Sequence, residues 1–68
     1  MLTHKTEYGI YHWDTFDNET ILIGNATTIE EAEEKVKDRY GGRIRPDGAD
    51  RVDIVDKSGN VVRVYSVG

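Results

Sequence analysis

The chain contains no cysteine and a single proline among its 68 residues. No disulfide framework can therefore support it, and its two histidines, His4 and His12, show no ligand spacing such as H-E-x-x-H. Long apolar runs are missing too. The first residues, MLTHKTEYG, lack a stretch of signal-peptide length, and no segment approaches the roughly 20 apolar residues of a membrane span. A cytoplasmic protein with no membrane association is the expectation. Basic residues are outnumbered, nine against thirteen acidic, giving a net charge of −4 that weighs against general nucleic-acid binding. Serines are few as well: Ser58 and Ser66 are not adjacent in sequence to a histidine, so no nucleophile with a base is visible. A chain this short offers little concavity for a paired-acid site. The expectation is a protein that is not an enzyme and carries no cofactor.

What is present organises around residues 28–40, TIEEAEEKVKDRY. Thr28 is a good N-cap, and Glu31 three residues on completes a T-x-x-E capping box. Acidic residues fill the first turns and Lys35, Lys37 and Arg39 the last, as the helix dipole favours. Gly41 and Gly42 end the helix. Ile29, Ala32, Val36 and Tyr40 make one narrow apolar stripe, so one face is buried and the rest is wet.

On either side lie short strands. Residues 7–13, EYGIYHW, read as a strand with Tyr8, Ile10 and His12 on one face and Tyr11 and Trp13 on the other. Residues 14–19 supply turn chemistry, and 20–26, TILIGNA, return as a second strand, with Ile21 and Ile23 on one side and Leu22 and Ala26 on the other. Residues 41–50 form a loop, 51–56 a third strand, 57–60 a turn and 61–67 a fourth. Residues 1–6 read as a frayed end or the lead into the first strand. The order is ββαββ, an α+β domain with a four-stranded sheet and the helix packed on one face. Strand order does not follow from this pattern: a direct parallel β-α-β unit between the second and third strands is one solution, and a different meeting of the two hairpins is another.

The second sheet face carries the functional question. Ile21, Leu22 and Ile23, then Val61, Val62, Val64, Tyr65 and Val67, make strands that are apolar on both sides, and such strands are usually covered on both sides. One helix cannot do that, and a domain of this size is marginally stable without some addition. The expected function is protein–protein association, as a homodimer, through the uncovered face bearing Tyr11, Trp13, Leu22, Val62 and Val64.

Two other readings use charge. Residues 35–51 hold six basic and three acidic side chains, a balance of +3 that leaves −7 for the rest. Arg39, Arg43, Arg45 and Arg51 beside a Gly-Gly backbone suit a phosphate or carboxylate, with Trp13 or Tyr11 stacking on a nucleic-acid base. The acidic run Glu30 to Glu34 suits a nucleic-acid mimic that inhibits a basic partner. A metal site on His12 and Asp14 would need further ligands. The run Asp14, Asp17, Asn18 and Glu19 lacks the calcium-loop spacing and reads as a polar turn.

A strand with Trp13, a helix opening on Thr28, Glu30, Glu31 and Ala32, a strand with Val52, Ile54 and Asp56, a turn ending in Gly59, and a last strand with Ser66 and Gly68 together span most of the chain. The pattern resembles small bacterial and phage-borne proteins grouped as domains of unknown function. It departs from them in the long loop at 41–50. The resemblance implies the ββαββ fold and carries no activity.

Overall fold

A computed structural model describes residues 7–68. The elements follow as β1 (Tyr8–Asp14), β2 (Glu19–Ala26), α1 (Ile29–Tyr40), a 3₁₀ turn (Gly41–Arg43), β3 (Asp50–Asp56) and β4 (Val61–Val67). The expected α+β class, one helix and ββαββ order hold. The expectation for residues 1–6, and His4 with it, lies outside the described residues.

The sheet order is β2-β1-β3-β4, with every neighbouring pair antiparallel. β2 and β3 consequently run parallel but are separated by β1, and the helical connection passes from one edge of the sheet into its middle. The two hydrogen-bonded central strands hold the core: Ile10, Val52 and Ile54 are fully buried with Val36 of α1 and Val67 of β4. Each such side chain contributes about 1.5–3 kcal/mol on burial. Ala32, Val36 and Tyr40 recur at every fourth position of α1, which brings all three onto the sheet.

Thr28 Oγ1 accepts the Glu31 amide at 3.0 Å, the first half of a capping box. The second half is displaced by one residue. Glu31 Oε1 accepts both the amide and the hydroxyl of Thr27 at 2.8 Å, which holds its carboxyl below the usual range. Gly41 closes the helix at φ 51°, where a side chain would be strained, and its amide returns to the Lys37 carbonyl.

Two β-bulges alter which residues share a face. Ile10 lies opposite Gly24 but Tyr11 lies opposite Leu22, so Ile23 is an extra residue in β2. The alternation flips there: Leu22 faces away from the helix while Ala26, opposite Tyr8, is in the core. The expectation that Leu22 and Ala26 share a side is thereby corrected. In β4 the extra residue is Val62, because Ile54 pairs with Arg63 and Val55 with Val61. Val62 is drawn against the core and leaves the open face, where it was expected; Val61 stands beside Val55 there instead.

The 41–50 segment is more ordered than a plain loop. The Arg45 amide donates to the Ser66 carbonyl at 3.0 Å, the Gly68 amide donates to the Arg43 carbonyl at 2.9 Å, and Ile44 bridges Val67. This segment thus covers the outer edge of β4 at its far end.

Candidate interaction surface

Because α1 covers one side of the sheet, the other side presents whatever the odd-numbered positions of β1 and β3 carry. The pairing register aligns Leu22, Tyr11, Asp53 and Val64 in one row across all four strands, and Thr20, Trp13, Arg51 and Ser66 in the next. Leu22 and Val64 are 52% and 57% exposed and Trp13 39%. Apolar and polar side chains share this face, with the Arg51–Asp53 pair between them.

Asp53 is the feature sequence reasoning missed. It lies on the face without a helix, yet it is only 4% exposed. Trp13 Nε1 donates to its Oδ2 at 3.0 Å and Arg51 Nη2 donates to the same oxygen at 3.2 Å. Oδ1 sits 3.0 Å from Arg51 Nε with no aligned donor, so that contact is Coulombic rather than a hydrogen bond. The Arg51 guanidinium also lies 4.9 Å from the Trp13 ring centroid, a cation–π distance. A buried carboxylate is tolerated only when paired, and here the pair also fixes the rotamers of a tryptophan and an arginine. The signal was present in the spacing: Arg51, Asp53 and Val55 alternate onto one face of β3, opposite the face that carries Val52 and Ile54.

Towards the other end of this face, Tyr11 folds over Gly9, where an added Cβ would lie 2.9 Å from the ring. Beyond it is a cavity of about 310 Å³ lined by Tyr11, Gly9, Val55, Asn25 and the Glu7–Lys57 ion pair at 3.6 Å. The pocket therefore opens beside Tyr11 at this end of the sheet, where Tyr8 and Asp56 also line it.

On the helix side, a chain of hydrogen bonds fastens the β1–β2 hairpin to the rest. His12 Nε2 lies 3.0 Å from Asp50 Oδ2 and its Nδ1 lies 2.5 Å from the Tyr40 hydroxyl. A carboxylate only accepts, so in the neutral ring Nε2 carries the proton and Nδ1 accepts from Tyr40. Asp50 Oδ1 accepts the amide and hydroxyl of Thr15 at 3.2 and 2.9 Å. The His12 hydrogen bond, then those from Thr15, hold the Asp50 carboxyl below its usual range. At the hairpin tip Asp14 Oδ1 accepts the amides of Phe16 and Asp17, leaving the Phe16 side chain 94% exposed. His12 and Asp14 thus serve two separate structural bonds, and among the described residues no group of three or more metal-ligating side chains gathers.

The four arginines are divided. Arg39 and Arg43 lie over the Tyr40 ring at 5.9 and 5.6 Å, and Arg43 Nε donates to the Gly68 carbonyl at 3.0 Å. Arg45 packs beside Gly68. Arg51 is on the opposite face with Asp53, so the structure does not bring the four together. Arg39 and Arg43 also flank a helix C-terminus, whose free carbonyls disfavour an anion. Of the acidic run, Glu31 is bound to Thr27 and Glu33 to Arg63 at 2.9 Å, which leaves Glu30 and Glu34 exposed. No helix among the described residues is long and apolar enough to cross a membrane.

No family model, curated protein or solved structure matches the chain.

Proposed function

We propose that this chain is a small non-enzymatic association module that pairs with a second copy of itself through the open sheet face. The observation that carries the reading is the Trp13–Arg51–Asp53 cluster, an aromatic and an arginine held rigid over a buried carboxylate amid exposed Leu22 and Val64. Pre-ordered Trp and Arg side chains lose little entropy on binding and are the residue types that dominate interface energetics. A second copy suits the face because its Arg51–Asp53 pair is neutral overall, so stacking two copies brings no net like charge together.

The size of the face sets the expected strength. Four strands about 4.8 Å apart and seven residues at about 3.3 Å each give roughly 440 Å² of projected area per copy, the size of a weak, transient contact rather than of a stable one. A weak, reversible association is the expectation for a contact of this size. Sedimentation equilibrium from low micromolar to millimolar protein tests it. The reading requires a reversible rise in mass that weakens when Trp13 or Val64 is changed; mass independent of concentration refutes it.

A further inference from the structure

We infer that the outer edge of β2, from Glu19 to Ile23, pairs antiparallel with the same edge of a second copy and joins two four-stranded sheets into one of eight strands. It rests on the reading of this chain as an association module, but not on the open face being the contact.

β2 is an edge strand, and its two halves differ. The later half is already engaged by the helix: Lys35 Nζ donates to the Asn25 carbonyl at 2.7 Å, and Glu31 takes the amide and hydroxyl of Thr27. From Glu19 to Leu22 every residue is exposed. This half carries none of the lysine, proline or covering loop by which edges are usually kept from pairing. Ile21, on the helix side of the sheet, is 46% exposed. β4, the other edge, is closed at Ser66–Gly68 by Arg43–Arg45, and its remaining stretch centres on Arg63. Pairing that stretch with itself sets Arg63 directly opposite Arg63, which is unfavourable.

The β2 sequence has no such conflict. A two-fold axis at Ile21 places Ile21 against Ile21, Thr20 against Leu22, and Glu19 against Ile23, so its one carboxylate meets an apolar residue. The inserted residue at Ile23 ends the regular strand and limits the seam to about five residues a side. Main-chain hydrogen bonds supply the affinity, and the exposed Ile21 pair fixes the register. Open face and edge are different surfaces, so both contacts can form at once.

The test is a charge swap at the axis. I21K and I21E each place like charges opposite each other on the axis. Each variant alone, folded by circular dichroism, is expected to lose the edge contact by roughly tenfold or more in dissociation constant. Mixed in equal amounts, they pair Lys with Glu and are expected to recover association to near the unmodified level. Wild-type association in either variant alone overturns the edge, and so does failure of the mixture to recover. A variant that unfolds alone but folds and associates when mixed supports it. V64T separates the two readings: association lost in I21K and unaffected by V64T keeps the edge and overturns the open face, and the reverse pattern does the opposite.

Discussion

Replacing Val64 by threonine isolates the open face with the least disturbance to the fold. Val64 stands in the row with Leu22, Tyr11 and Asp53 and is 57% exposed. Threonine keeps the β-branch and the strand propensity, so the isolated domain should change by no more than about 0.5 kcal/mol. In a face-to-face pair the situation differs. Full burial of a valine is worth about 1.5–3 kcal/mol, and the exposed part leaves about 1 kcal/mol for each copy to gain on association. Both copies carry the change, so about 2 kcal/mol is lost, more if the hydroxyl finds no partner, which is roughly a thirtyfold weaker dissociation constant. Sedimentation equilibrium reads the association, and urea unfolding at a concentration where the chain is monomeric reads the fold. An unchanged dissociation constant with unchanged stability refutes the claim that this face is buried on association.

Other perturbations address the supports of that face. R51M should destabilise the domain by about 1–3 kcal/mol in urea unfolding, because Asp53 stays buried with only the Trp13 indole as partner, whereas the double change R51M/D53L should restore most of the loss; equal loss in both would show that the pair is not what matters. Asp50, Glu31 and Asp56 all have carboxyls held below their usual range, the last chiefly by the Asn60 amide. A lowered folded-state value means the unfolded chain binds protons more readily, so their contribution is present above about pH 4 and is lost as pH falls further. Urea midpoints should therefore drop from pH 5 to pH 3, and D50N should flatten that dependence; an identical pH profile in D50N would contradict the His12–Asp50 linkage. G48A should cost more than about 1 kcal/mol, since the added Cβ would lie 2.4 Å from the Val67 backbone, which cannot swing aside as a side chain can; an unchanged thermal midpoint would contradict the close packing of the 41–50 segment on β4.

The elements were legible because their signals are local. Thr28, the acidic first turn and Gly41 bound the helix, and alternating apolar residues bound the strands to within a residue or so. Strand order was not legible, since nothing in β1 by itself states that both β2 and β3 pair with it. Sidedness failed where a single inserted residue resets the alternation: Val62 and Ala26 are ordinary apolar residues, and whether they face core or solvent depends on bulges opposite Ile54 and Ile10. Of the open-face residues, Tyr11, Trp13, Leu22 and Val64 share the expected side. Asp53 was hidden because an acid in a strand reads as solvent-facing, and only the long-range meeting of β1 with β3 brings Trp13 and Arg51 over it. The arginine cluster dissolved for the same reason, as Arg51 alternates onto the face opposite Arg39 and Arg43.

The most direct test of the central claim is the solution mass of the unmodified chain across a concentration series. Self-association predicts a reversible rise from 7.7 kDa towards twice that value or more between micromolar and millimolar protein. A single species at 7.7 kDa throughout contradicts it.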